Sequence, residues 1–304
     1  MQITRRMLLG GLGAGVLVAG PTRLLARQTL SLGDIEVTTV SDGHLVLPGQ
    51  FLFPDLPEDE LDSILSQHGV SRDAVQPPCN VTLMRARGRT VLFDAGSGDG
   101  FMPSAGRLRD ALGAIGIMPE DVTDVVLTHG HPDHLWGVLD DFDDPMFANA
   151  SYLMGQREFD YWSDPDTVDS IGPERAAFAV GAARRLEAIA EHCTFFGDAE
   201  ELLPGVMAHA TFGHTPGHMG FEIRQGSEAV LVAGDAIGNH HVAFARPDWR
   251  SGADQDRDMG AATRLRLLDM LAQDQTMLIG FHLPDGGIGR VERSGDAYRF
   301  VPAL

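Results

Sequence analysis

Thr128-His129-Gly130-His131-Pro132-Asp133-His134 follows directly on the apolar run Val125-Val126-Leu127. A short apolar run bounded by turn residues reads as a buried strand. The cluster therefore sits in a loop at that strand's C-terminal end. Neutral imidazole suits zinc, iron and related metals, and carboxylate is a common companion ligand. His129 and His131 alternate with Gly130, so both can point the same way from extended backbone. Asp133 and His134 follow on the turn and can face a second metal beside the first. One or two histidines in a solvated loop are ordinary, but four ligand-type residues at this spacing after a strand are not.

At these residues the chain resembles the metallo-β-lactamase superfamily, whose signature is His-x-His-x-Asp-His. Further segments carry the same resemblance in the same order. Gly213-His214-Thr215-Pro216-Gly217-His218 resembles the second metal-binding segment, with His214 as ligand. Val230-Leu231-Val232-Ala233-Gly234-Asp235 resembles the strand that delivers a bridging aspartate, and Gly280-Phe281-His282 the last ligand segment. The resemblance implies an α/β fold, a four-layer αββα sandwich of two similar halves. It implies that His129, His131 and His214 hold one metal, that Asp133, His134 and His282 hold another, and that Asp235 bridges both. It also implies that Asp94, in the glycine loop Asp94-Ala95-Gly96-Ser97-Gly98, supports the site from behind.

Two bridged cations sit about 3.5–4 Å apart and share a hydroxide. Zinc lowers the pKa of bound water to about 7, from 15.7 in bulk. Such a hydroxide attacks carbon or phosphorus while the metals hold the reacting and leaving oxygens, so no protein nucleophile is needed. Asp133 is expected both to ligate and to handle a proton. The expected cofactors are two divalent ions, zinc first.

Bulk composition narrows the class. The chain has 304 residues, 43% hydrophobic, and a net charge of −20. That supports one large domain or two fused halves. An acidic surface repels phosphate backbones, so nucleic acid is a poor partner and a small-molecule substrate the expected one. All 23 basic residues are arginine, which excludes a lysine Schiff base and a Walker-type phosphate loop. No Gly-x-Ser-x-Gly elbow is present. Cys79 and Cys193 lie in no metal-type spacing; separate buried thiols are the default expectation, and pairing stays open.

Thr4-Arg5-Arg6-Met7-Leu8-Leu9, the glycine-rich apolar stretch to Gly20 and Pro21 to Ala26 read as a twin-arginine export signal over residues 1–26. The hydrolase domain then spans 27–304, destined for the periplasm or outside, with no stable membrane anchor after processing. An uncleaved N-terminal anchor is the alternative. A homodimer is left open.

The remaining chain alternates strands and helices. Strands are expected at Ile35–Val40, Val81–Met84, Thr90–Phe93, Asp124–Leu127, Ser151–Met154, Met207–Thr211, Gly220–Arg224, Ala229–Ala233 and Thr276–Ile279. The second and third of these form a hairpin across Arg87-Gly88. Helices are expected at Glu58–His68, Gly106–Gly116, Gln156–Trp162, Pro173–His192 and Asp258–Ala272. Phe51-Leu52-Phe53 suits either an apolar lip over the pocket or a core or oligomer contact. His218 suits a supporting place behind the site. His240 and His241 either line the pocket or are ordinary polar histidines, and Trp136 packs beneath the metal loop.

Flavodiiron oxidoreductases carry glutamate where Gly130 stands, common class B β-lactamases use a ligand cysteine, and glyoxalase II proteins use basic residues to hold glutathione. Phe244 to Trp249, Ala261 to Arg264 and Ile279 to Gly289 instead resemble the group of methyl parathion hydrolase and exported N-acyl homoserine lactonases. Asn239, Asp285 and Gly286 depart from that group at positions that touch the pocket. The resemblance implies hydrolysis of a small neutral ester, lactone or phosphotriester. The alternatives are a β-lactam hydrolase and a mononuclear iron sulfur dioxygenase.

Overall fold

Strands that are apolar at every position, rather than at alternate ones, belong in a sheet covered on both faces. Asp124–Leu127 is buried throughout. In the computed structural model, which describes residues 28–303, its side chains divide between two cores. Val125 and Leu127 pack with helices on one face, and Val126 packs against a second sheet on the other. The expected signal segment 1–26 lies outside the described residues.

The first sheet has seven strands in sequential order: β1 (Thr29–Leu32), β2 (Ile35–His44), β3 (Pro78–Ala86), β4 (Arg89–Phe93), β5 (Asp124–Leu127), β6 (Ser151–Gly155) and β7 (Cys193–Phe196). Neighbours are antiparallel as far as β4 and parallel from there to β7. The second sheet is equally sequential: β8 (Glu201–Leu203), β9 (Val206–Ala210), β10 (Met219–Gln225), β11 (Glu228–Val232), β12 (Met277–Ile279), β13 (Ile288–Ser294) and β14 (Ala297–Pro302). Its one parallel pair is β11 with β12.

The sheets pack face to face through Val91, Phe93 and Val126 on one side and Phe221, Val230 and Val232 on the other. The Phe93 and Phe221 rings lie 5.4 Å apart. Leu92 and Leu127 turn outward onto the helices Leu108–Ala114 and Ala176–Ile189. Leu231 and Leu278 turn outward onto the helix Arg257–Asp274. This is the expected four-layer αββα sandwich.

The hairpin across Arg87-Gly88 is present, and both residues have positive φ, 52° and 77°. That is the backbone of a two-residue turn matched to strand twist. The helix expected over 173–192 is shorter, Ala176–Ile189, and continues as a tighter 3-10 turn, Ala190–His192. The helix expected over 106–116 is Leu108–Ala114. β1, β7, β8, β13 and β14 were not expected. The thiols of Cys79 and Cys193 are free. They sit on β3 and β7, four strand spacings apart, or about 19 Å at about 4.8 Å each, which is too far to pair. Cys79 is buried, whereas Cys193 is only half-buried.

Candidate metal centre

The two halves bring seven side chains to one place, each from a segment that leaves the end of a strand. The loop after β5 carries His129, His131, Asp133 and His134. His214 follows β9, Asp235 follows β11 and His282 follows β12. Their ligand atoms fall into two groups, His129/His131/His214 and Asp133/His134/Asp235/His282, each with all atoms within 4.8 Å of one another. These are the seven residues expected from the sequence, in the same two groups.

In the first group His131 Nδ1 lies 3.0 Å from His129 Nε2 and 2.9 Å from His214 Nε2. In the second, His134 Nε2 lies 3.4 Å from Asp133 Oδ2 and 3.2 Å from Asp235 Oδ1. His282 Nε2 lies 3.3 Å from Asp133 Oδ2 and 3.1 Å from Asp235 Oδ2. Asp235 Oδ2 is also 3.4 Å from His214 Nε2, so this one carboxylate touches both groups.

The far nitrogens explain why the near ones converge. A metal-binding imidazole characteristically has its other nitrogen fixed by a carboxylate, a carbonyl or another polar group. Here His134 Nδ1 lies 2.7 Å from Asp94 Oδ2, and His214 Nδ1 3.1 Å from Asp254 Oδ1. His282 Nδ1 donates to Pro78 O at 2.8 Å, and His129 Nδ1 meets Thr128 Oγ1 at 2.9 Å. Asp94 does what the sequence suggested. It also accepts from Thr128 N–H at 2.8 Å, and it holds a left-handed φ of 70°. His218 stands behind the site, as expected: its Nδ1 is 2.7 Å from Thr211 Oγ1 and its Nε2 accepts from Asp235 N–H at 3.0 Å.

Charge is divided between the two groups. Burial lowers the pKa of His129 and His131, and neighbouring imidazoles, His134 and His214 foremost, push the same way; both stay well below the ordinary histidine value. Burial opposes protonation of His134 and His282 too, but the carboxylates, Asp235 first, outweigh it and raise both well above that value. Burial would raise Asp133 and Asp235; the imidazoles of His134 and His282 overcome it and hold both below the usual carboxylate range. Burial pushes the Cys79 thiol up to about 12, so it offers no thiolate beside His282.

This donor set fits divalent cations. Three ring nitrogens about 3 Å apart cannot all be satisfied by protons, because a neutral imidazole donates from one nitrogen only. The buried atoms Asp133 Oδ2, His134 Nε2 and Asp235 Oδ1 have no hydrogen-bond partner among the described residues. Unpaired buried polar atoms are costly, and a cation in this second group would supply the missing partner.

Several contributors carried no sequence signal. Glu158 is fully buried. One oxygen accepts from Gly130 N–H at 2.9 Å and Trp162 Nε1–H at 2.6 Å, the other from Gly217 N–H at 2.8 Å. It therefore ties the loop holding His129 and His131 to the loop holding His214. Asp254 orients His214 and is held in turn by Arg264 at 3.3 Å. Asp42 accepts from the N–H groups of Ser97, Gly106 and Leu108 and pins the loop that follows Asp94.

A cavity of about 380 Å³ opens above Asp133, His214, Asp235 and His282. Phe51, Leu52 and Phe53 line it, and Phe53 also belongs to a buried core cluster against which Leu52 packs, so the segment is lip and core at once. Asn239 lines it as well and accepts from Ala243 N–H at 2.9 Å, so it shapes the following turn. His240 and His241 are not among the lining residues; they pack on His68, with ring centroids 4.9 and 6.0 Å away. Trp136 packs against Phe101 and under the guanidinium of Arg185.

An αββα sandwich with imidazole and carboxylate donors converging at the ends of both sheets defines a class of metal-dependent hydrolases. The chain belongs to the metallo-beta-lactamase superfamily, whose family model matches residues 75–282. Among curated proteins it is similar to the uncharacterized protein Rv2581c of Mycobacterium tuberculosis, 27% identical over 236 residues, which are 74% of this chain and 92% of that one. Among solved structures it is similar to the hydrolase AbOPH of the beta lactamase superfamily, with TM-score 0.85 and 26% identity over 93% of this chain and 99% of that one. It is equally similar to AidC, a dizinc quorum-quenching lactonase, with TM-score 0.85 and 26% identity over 92% of this chain and 98% of the other. The chain is thus a hydrolase of this superfamily.

Proposed function

We propose that the protein is a dinuclear metal-dependent hydrolase of a small, neutral, apolar-chain substrate, a lactone or ester first and a phosphotriester second. The observation that carries this reading is Asp235, whose carboxylate touches both donor groups on the floor of the cavity. His129, His131 and His214 would hold one divalent ion and Asp133, His134 and His282 the other, zinc in each case, with Asp235 shared. Bound there, the ions would supply Lewis acidity and a water of lowered pKa at neutral pH. Similarity to the dizinc lactonase AidC supports both the metal and the lactone.

The chain's own residues do the rest. Asp94, Asp254, Pro78 O and Thr128 aim the imidazoles, so little reorganisation accompanies loading. The apolar wall from Leu45 to Phe53 excludes water from the scissile bond and binds the substrate's chain. Asp133, an ionised carboxylate on the same floor, would take up the proton that the attacking water loses and pass it to the departing oxygen. The cavity volume falls within the range of about 300–1,000 Å³ usual for small-molecule sites. Export by the twin-arginine route is part of the proposal: Arg5→Lys with Arg6→Lys should abolish periplasmic accumulation and leave active enzyme in the cytoplasm.

The deciding experiment joins metal analysis to a panel of lactone, aryl ester, phosphotriester and β-lactam substrates. Two ions per chain with lactone or ester turnover is the expected result. One iron per chain with oxygen consumption, or turnover confined to β-lactams, would overturn it.

A further inference from the structure

Four arginines line the cavity, and three of them are matched. Arg246 pairs with Asp248 at 3.1 Å and with Glu60, Arg250 with Asp258 at 2.6 Å, and Arg264 with Asp254 at 3.3 Å. The fourth, Arg175, is not. It is 9% exposed. Its Nη2 donates to Gly252 O at 2.6 Å and reaches Ala253 O at 3.4 Å. Its nearest carboxylate oxygen, Glu174 Oε1, is 3.9 Å from Nη1, beyond hydrogen-bond reach. Among the described residues neither Nε nor Nη1 donates to any protein atom. The guanidinium stands over the ring of Phe51 at 5.5 Å.

A guanidinium carries five N–H donors and cannot be discharged in a protein. Tethering the 252–253 segment occupies Nη2 and leaves Nε and Nη1 without a protein acceptor on a residue that lines the cavity. A charge-assisted hydrogen bond from such a group is roughly twice as strong as a neutral one, and an apolar surround strengthens it further.

We propose that Arg175 anchors a second acceptor oxygen of the substrate, a neutral carbonyl remote from the scissile bond, and so selects acyl compounds that carry one. This rests on the lactone or ester hydrolase reading above. The substrate's apolar chain lies against the Phe51 wall, its scissile group on the Asp235 floor, and its extra oxygen at Arg175. The class is therefore amphiphilic acyl derivatives with a polar branch, not plain aliphatic esters.

The test uses three 4-nitrophenyl esters of matched length: the hexanoate, the 5-oxohexanoate and the adipate monoester. They carry respectively no second acceptor, a neutral carbonyl and a carboxylate. The parent should prefer the 5-oxohexanoate over the hexanoate by about 10- to 100-fold in kcat/KM, the range of one hydrogen bond to a charged group. Arg175→Met should remove the preference, mainly through KM, and leave the hexanoate within about threefold and metal content unchanged. Arg175→Lys should restore part of it. A preference confined to the adipate monoester would mean an anionic substrate and overturn the proposal. A parallel fall of all three esters in Arg175→Met would make the residue a loop tether and overturn the proposal, as would a parent without preference. The three corresponding 4-nitroanilides, titrated by calorimetry on the metal-loaded protein, give the same comparison from binding alone. A failure of the hydrolase reading thereby stays distinguishable from a failure of this one: the first abolishes turnover, the second the preference.

Discussion

Asp235 is the residue on which most of the site depends. Asp235→Ala should abolish hydrolysis and lower metal content by at least one ion per chain, measured by elemental analysis of the dialysed protein. A variant with two ions and normal turnover would remove Asp235 from the centre. His240 and His241 act differently, through pH. Burial, with His68 adding to it, pushes His240 down to about 4; burial, with His240 and His68 adding, pushes His241 down to about 3. Asp285 opposes this weakly at His240. Folded values below the unfolded value of about 6.5 mean that stability is complete above pH 6.5. It is lost as pH falls through 6.5 toward 4 and 3, because the unfolded chain binds the protons first. His241 Nδ1 also accepts from Val242 N–H at 2.9 Å, a bond that protonation removes. His241→Asn keeps an acceptor and cannot titrate. With chelator present throughout, it should flatten the fall of Tm between pH 6.5 and 4; an unchanged slope would remove His241 as a source of acid lability. The four donors after β5 were legible because their chemistry is local, a dense cluster following an apolar run; His214, Asp235 and His282, each a single side chain, were read only through the resemblance of their segments. Asp254, Glu158 and Asp42 were not legible, because a lone carboxylate acquires meaning only from distant backbone groups that the fold brings to it.

Among elements, the two ligand loops are coupled through the helix Gln156–Ser163, which carries Glu158. No Cβ fits at either loop glycine: one on Gly130 would meet Trp162 at 2.5 Å, and one on Gly217 would meet the Glu158 backbone at 2.4 Å. Glu158→Gln has the same shape but turns an N–H₂ toward a backbone N–H and leaves a buried donor unmet. The expected cost is about 1–3 kcal/mol of stability, together with weaker binding of the ion held by His129, His131 and His214. Calorimetric metal titration checks the second effect against Leu186→Ala, a core variant that should lower Tm and leave metal affinity unchanged. Equal affinities in all three proteins would show that the brace does not shape the centre. The element pattern was readable wherever strands are covered on both faces, as in β5 and β11. It failed at the edges. β13 and β14 mix Arg290, Glu292, Arg293 and Arg299 among their apolar positions, because their outer face meets solvent. β7 and β8 are edge strands of three or four residues, too short for a period to show.

At the scale of the whole molecule, the donors come from both halves: His129, His131, Asp133 and His134 from the segment after β5, and His214, Asp235 and His282 from the second half. Cation binding therefore ties one sheet to the other, and the unfolded chain has no equivalent site. A ligand that binds only the native state stabilises it by about 2.7 kcal/mol at one hundred times its Kd. In a chain of this size that corresponds to a rise in Tm of about 4 °C. Chelated protein should melt lower by that amount at neutral pH, and added zinc should restore it with a dependence on metal concentration. Asp235→Ala should lose most of the increment, since the two donor groups are then no longer joined. Covalent serine- and cysteine-directed inhibitors should leave activity intact, because the Cys79 thiol is held neutral and no serine elbow exists. A Tm indifferent to chelator and zinc, or full activity after verified metal removal, would refute a metal centre shared by the two halves.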